Sequence, residues 1–181
     1  QDRINAEFSE SVAAALANGE IHPWFQPQVS AVTGALTGVE ALARWVKPSG
    51  EVLAPAEFMP ALKAEGLSER LGEHMLTHSL SALSEWDQAG LEVPGVSLNL
   101  SRNDLWNPRL VDKVRWELDR FELAPERLTV EILEDVVARS DDDTTTRNIA
   151  ALEMQLVGLL SPGLRRVHGE HGRDVYDLDG S

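Results

Sequence analysis

The chain has 181 residues and no cysteine, and its 30 Asp plus Glu outweigh 16 Lys plus Arg, for a formal charge of −14. Such an acidic surface repels a phosphate backbone, which argues against nucleic-acid polymers as partners, and the lack of thiols excludes disulfides and thiolate metal sites. No apolar run approaches the ~20 residues of a membrane span and no secretory signal opens the chain, so a single cytoplasmic domain is expected, with Gln1 in place of Met reading as a cut from a longer protein.

Residues 5–18 have Phe8, Val12 and Leu16 at helical spacing and stop at Gly19. "IHPWFQPQVS" (21–30) reads as a strand whose two prolines suit an edge or the mouth of a sheet, and "AVTGALTG" (31–38) reads as a turn. Then comes "GVEALARWV" (38–46), an apolar stretch holding Glu40 and Arg44. Read with period two, Val39, Ala41, Ala43 and Trp45 form an apolar face, while Glu40, Leu42, Arg44 and Val46 point the other way. On a strand the two charges stand about 13 Å apart, too far for a direct pair, so each needs another partner. On a helix they would form an exposed i,i+4 pair; the flanking glycines and short length favour the strand.

"KPSGEVLAP" reads as a loop, followed by two helices, "AEFMPALKAEG" and "LSERLGEHMLTHSLSALSEWDQAG". The second carries Leu71, Met75, His78, Leu80, Leu83 and Trp86 near one side and stops at Gly90. "GVSLNLS" (95–101) is a strand, residues 107–123 a helix, "RLTVEILE" (127–134) a strand and residues 144–154 a helix. This alternation predicts parallel βα units in a barrel or a doubly wound sheet. "QLVGLL" reads as one more strand, and the tail after it as irregular. The expected division is an N-terminal helix or linker at 1–19, a βα region at 20–154 and a divergent tail at 155–181.

Parity also sorts the later strands. Asn99 shares a face with Ser97 and Ser101, and Glu131 with Thr129 and Leu133. Glu40, Asn99 and Glu131 are hard oxygen donors near the C-terminal ends of successive strands, where functional groups of a parallel barrel collect. They suit Mg²⁺, Mn²⁺ or Ca²⁺ as a shared site; separate structural hydrogen bonds are the alternative. His74 and His78, four apart on a helix, read as packed or capping groups, His168 and His171 as loop residues, and "SDDDTTT" as a helix entry. The five tryptophans have apolar neighbours and read as core.

These segments, in order from about residue 20 to 153, resemble the EAL domain family of cyclic di-GMP phosphodiesterases. "WFQPQVS" with "TGALTGVEALARW" resembles its opening and signature strands, "PAEFMPALKAEGL" the segment that follows, "VSLNLS" its Asn-Leu-Ser strand and "LTVEILED" its Glu-x-Thr-Glu strand. The resemblance implies a modified TIM barrel that hydrolyses cyclic di-GMP with Mg²⁺ or Mn²⁺, in bacterial signalling beside other sensory domains. It implies Glu40, Asn99 and Glu131 as metal ligands, Arg44 as a phosphate holder, Gln26, Leu42 and Pro60 as lining of the nucleotide pocket, and Glu134 as a supporting residue. It breaks near residue 154. Leu160, Ser161 and Pro162 stand where the family has two metal-binding aspartates, and Asp177 falls where it has a catalytic Lys. A (β/α)₈ barrel usually needs about 250 residues. An incomplete TIM-type barrel is therefore expected, inactive or strongly impaired. Two alternatives are a degenerate cyclic di-GMP receptor and a module whose open edges are completed as a homodimer.

Overall fold

The computed structural model describes residues 2–132, 143–157, 164–168 and 174–178. Helix α1 (Asp2–Ala17) precedes strands β1 (Ile21–Val29), β2 (Leu36–Val46) and the short β3 (Val52–Leu53). Helices α2 (Pro55–Ala64) and α3 (Ser68–Gln88) lead to β4 (Val96–Leu100), α4 (Arg102–Trp106) and α5 (Leu110–Arg120). A 3₁₀ turn at Pro125–Arg127 enters β5 (Leu128–Ile132); α6 (Asp143–Val157), β6 (Leu164–His168) and β7 (Asp174–Leu178) follow. The main sheet has the order β1-β2-β4-β5, with β3 pairing the far end of β2.

The βα rhythm holds from β2 to β5, where β2–β4 and β4–β5 are parallel. It fails at the start, because β1 and β2 are antiparallel, from Ile21 opposite Trp45 to Gln26 opposite Glu40. A parallel connection needs a crossover of a dozen or more residues. The link between Val29 and Leu36 is too short for one and closes on itself, Ser30 N donating to Ala35 O at 2.9 Å. Leu36–Gly38, expected in the turn, already belongs to β2. β3 is a second addition: the loop after Lys47 turns back so that Leu53 pairs with Trp45.

Three further expectations are corrected. The helix expected over 107–123 begins at Leu110, with a separate short helix α4 before it. Ser101 and Asp104 form a capping box there, Asp104 Oδ2 accepting from Ser101 N at 2.7 Å. "QLVGLL" is not a strand at its start, since Gln155–Val157 continue α6. The tail is not irregular throughout, because β6 and β7 pair antiparallel as a separate two-stranded sheet. Asp177 thus lies on β7, outside the parallel sheet, while Leu160, Ser161, Pro162, His171 and Glu134 lie outside the described residues.

The core lies between the sheet and its helices. Val39, Ala41 and Trp45 of β2, Val96, Leu98 and Leu100 of β4, and Leu128 of β5 are buried with Val12 and Leu16 of α1, Phe58 and Leu62 of α2, and Leu71, Leu80 and Leu83 of α3. Each fully buried aliphatic or aromatic side chain contributes about 1.5–3 kcal/mol. Trp45 centres one end: its ring lies 5.6 Å from Phe8 and 6.3 Å from Phe58, and Nε1 donates to Glu20 at 3.0 Å. Trp86 also packs against the core, beside Phe25, but the remaining three do not. Trp24, Trp106 and Trp116 are exposed, the last two beneath the guanidiniums of Arg102 and Arg120. His78 is exposed as well, its place on the buried stripe of α3 taken by Ser79.

Two polar links tie helices to strand entries. Arg127, just before β5, donates through both terminal nitrogens to Asp87 at 2.8 and 2.9 Å, and to the Val93 carbonyl at 2.9 Å. Glu117 of α5 is only 2% exposed and accepts from Thr77 Oγ1 of α3 at 2.9 Å. The backbones at Gly95 and Arg127 nearly touch; a Cβ on Gly95 would stand 2.7 Å from the Arg127 carbonyl oxygen.

That obstacle is main chain and has no rotamer by which to move. Gly95→Ala is expected to destabilise the fold by about 1–3 kcal/mol, read from the urea midpoint; an unchanged midpoint would mean that β4 and β5 spread freely. Asp104 yields a pH prediction. Burial raises its pKa above 3.8, outweighing the Ser101 hydrogen bonds that lower it, with Glu69 adding to the rise. The protonated form is therefore favoured by folding. Its stabilisation is complete below pH 3.8 and is lost as pH climbs through the raised value. The stability difference between wild type and Asp104→Asn should shift against wild type over that rise; a difference constant with pH would contradict it.

Candidate functional site

The pleat turns the other face of the sheet away from the helices, and register decides which of its side chains meet. Gln26 of β1 stands opposite Glu40 of β2, Glu40 beside Ser97 of β4, and Ser97 beside Thr129 of β5. One polar row therefore crosses four strands at one level. Two residues further along β4 and β5, Asn99 stands beside Glu131. Asn99 reaches back across the strands, its Nδ2 donating to Glu40 Oε1 at 2.9 Å. In the opposite direction along β1, Trp24 pairs with Leu42 and His22 with Arg44.

Most residues expected at the site thus share one face. Glu40 and Asn99 are in direct contact, Glu131 is the register neighbour of Asn99, and Gln26 borders Glu40. Leu42 and Arg44 continue the face toward the C-terminal end of β2. Arg44 Nη1 donates to the Ala43 carbonyl at 2.8 Å. Among the described residues no ion pair engages the guanidinium. Pro60 is placed differently. It is exposed inside α2, whose Phe58 packs on Trp45 from the helix-covered side of β2. It is not among the side chains that the register groups.

The donor chemistry fits one divalent cation. Asn99 uses its amide N–H on Glu40, which leaves Oδ1 as a neutral oxygen donor beside the carboxylates of Glu40 and Glu131. Two carboxylates balance a charge of +2. Among the described residues no group of three or more His, Cys, Asp or Glu gathers at one point, so no denser acidic cage is present there. His74 and His78 form a close ring pair, centroids 4.0 Å apart. Burial is the main cause of the lowered His74 pKa, followed by repulsion from His78; the hydrogen bond that the imidazole donates to the Ile21 backbone opposes the shift, and His22 and Arg70 add to it.

Two residues of this face escaped the sequence reading. Trp24 was assigned to the core, yet it is exposed and stands opposite Leu42. The period-two rule applied to β2 would have placed it with Gln26 had it been applied to β1. Ser97 was placed on the polar face, but not its condition: it is 4% exposed, and its hydroxyl finds no hydrogen-bond partner.

Comparison with known proteins gives the family and the fold. A family model described as EAL domain matches residues 9–159. The oxygen sensor protein DosP of Escherichia coli is 32% identical over 145 residues, covering 80% of this chain and 18% of its own length. The bifunctional diguanylate cyclase/cyclic di-GMP phosphodiesterase MucR of Pseudomonas aeruginosa is 34% identical over 118 residues, covering 65% of this chain and 17% of its own. Among solved structures, the PaMucR phosphodiesterase in complex with c-di-GMP superposes with a TM-score of 0.73 at 28% identity, over 87% of this chain and 61% of that one. The FimX EAL domain of Xanthomonas citri, in complex with c-diGMP, gives 0.72 at 21% identity, a likeness of fold. The chain thus spans about a fifth of the length of these curated relatives, and its sheet is a partial, unclosed version of theirs. With the match covering most of its residues, the chain belongs to the EAL domain family.

Proposed function

We propose that this chain is a cyclic di-GMP-binding EAL domain in which hydrolysis is absent or very slow. The observation that carries the reading is the Asn99–Glu40 hydrogen bond, on the face that also holds Gln26, Leu42 and Arg44. It preorganises two oxygen donors between strands while a guanidinium stands further along β2. A forked guanidinium suits a phosphodiester. Glu40, Asn99 and Glu131 are the residues that would hold Mg²⁺ or Mn²⁺, and such an ion supplies positive charge against a phosphate and lowers the pKa of water.

Impaired hydrolysis follows from the ligand count. A two-metal clamp holds its ions about 4 Å apart and needs further anionic ligands. By family likeness, Leu160, Ser161 and Pro162 would stand at the aspartate pair and Asp177 at the Lys place, and none of the four would supply the family's group there. Three donors support one weakly held ion. Gln26 and Leu42 would orient the nucleotide and Arg44 one of its phosphates. Pro60 and Glu134 remain contributors by family likeness alone.

A second reading is a dimerising interaction module. Among the described residues β5 pairs only with β4, and an open strand edge recruits another chain. The two readings part at Arg44.

Calorimetric titration with cyclic di-GMP, with and without Mn²⁺, is expected to show binding that Mn²⁺ strengthens and Arg44→Ala weakens by tenfold or more, the loss of roughly 1.5–3 kcal/mol for a charged hydrogen bond. No binding by wild type under either condition, with a dimer in ultracentrifugation that Arg44→Ala leaves intact, would instead support the interaction module. Chromatography of cyclic di-GMP incubated with the chain and Mn²⁺ should show no linear dinucleotide beyond the metal-only blank. Ordinary turnover would overturn the impaired-hydrolysis reading.

A further inference from the structure

The polar face of the sheet contains one large aromatic side chain that no role above absorbs. Trp24 of β1 is 47% exposed, although it lies in the middle of a sheet strand and not in a loop. Alternation along β1 separates it from Phe25, which turns the other way and packs edge-on against Trp86 of α3 at 4.8 Å. Register sets Trp24 directly across from Leu42, one step from the Gln26–Glu40 pair and one step from the His22–Arg44 pair. Along these strands, one step on the same face is about 6.6 Å. The indole therefore occupies the interval between the Gln26–Glu40 pair and the His22–Arg44 pair, with a half-buried leucine as its neighbour.

That interval has the chemistry of a nucleobase seat. A flat aromatic ring beside an aliphatic wall offers one stacking surface and no charge. The polar groups that would take a phosphate lie on the level beyond it. An exposed indole has no reason to be retained on an acidic, soluble surface for stability, because it buries little there; stacking a base recovers that area. Trp106 and Trp116, also exposed, differ in that each lies under an arginine of its own helix.

We propose that Trp24 is a specificity-determining residue of this site, stacking on a guanine base of the bound cyclic dinucleotide and selecting purines over pyrimidines. The inference rests on the nucleotide-binding reading above and adds a residue to it. Stacking is a property of the base, whereas Arg44 addresses a phosphate that all cyclic dinucleotides share. The two contributions are therefore separable by changing the base while keeping the phosphates.

The test is titration of the whole chain with cyclic di-GMP and cyclic di-UMP in Mn²⁺, for wild type, Trp24→Ala, Trp24→Phe and the control Trp116→Ala. Wild type should prefer cyclic di-GMP. Trp24→Ala should lose roughly tenfold or more in affinity for cyclic di-GMP, lose little for cyclic di-UMP, and so erase the preference. Trp24→Phe should restore part of it, and Trp116→Ala should match wild type. Cyclic di-GMP should also quench tryptophan emission in wild type more than in Trp24→Phe. Equal melting temperatures confirm that an exposed position was changed without unfolding the chain. Undiminished cyclic di-GMP affinity in Trp24→Ala, or equal loss for both ligands, overturns the proposal while nucleotide binding stands. Failure of wild type to bind cyclic di-GMP at all removes the nucleotide-binding reading and this inference with it.

Discussion

The structure depends on β2 having two faces of opposite character. Its apolar face carries Val39, Ala41 and Trp45 into the helix-covered core, and that burial fixes which way every other residue of the strand points. Because the side-chain period is two, Glu40, Leu42 and Arg44 have no freedom to join the core without expelling Trp45. The position of the candidate site is therefore a by-product of hydrophobic packing on its far side. Phe8, Phe58 and Glu20, which never approach that site, hold the strand in register by gripping Trp45.

From β2 the constraint passes sideways through backbone pairing. Parallel ladders to β4 and onward to β5 set Glu40, Ser97 and Thr129 at one level and Asn99 with Glu131 at the next. Gly95 allows the β4 entry to touch the Arg127 backbone, and the Arg127–Asp87 fork anchors that entry to the end of α3. Such fixtures explain how Asn99 and Glu40, fifty-nine residues apart, come to share a hydrogen bond. The arrangement is preorganised in the sense that neither side chain needs to travel to meet the other. Glu40 is half-buried and Asn99 exposed, so neither bears the full desolvation cost that the helix side would impose. Glu117 shows the contrast. It sits on the helix side, nearly inaccessible, and is tolerated with its hydrogen bond from Thr77 and the nearby Arg120.

The residues grouped on the polar face come from strands joined by direct pairing: Gln26 from β1, Glu40, Leu42 and Arg44 from β2, Asn99 from β4 and Glu131 from β5. Their placement relative to one another is therefore set by the ladders of one sheet and by the core packed against its other face.

By itself the sequence determined the elements and their faces. Period-two alternation on "GVEALARWV" separated Trp45 from Arg44, helical spacing located Leu110, Val114 and Leu118 on the buried side of α5, and Gly19, at a φ of 75°, marked the end of α1. These are local properties, legible because each residue's environment is dictated by neighbours a few positions away. Tertiary structure alone decided the antiparallel course of β1, the continuation of α6 through Gln155–Val157, and which tryptophans are core. It also decided that Pro60 stands apart from the polar face and that Ser97 is buried without a partner. Those outcomes depend on which strand lies beside which and at what register. Hydrogen bonds between residues tens of positions apart set that register, and no local pattern encodes it.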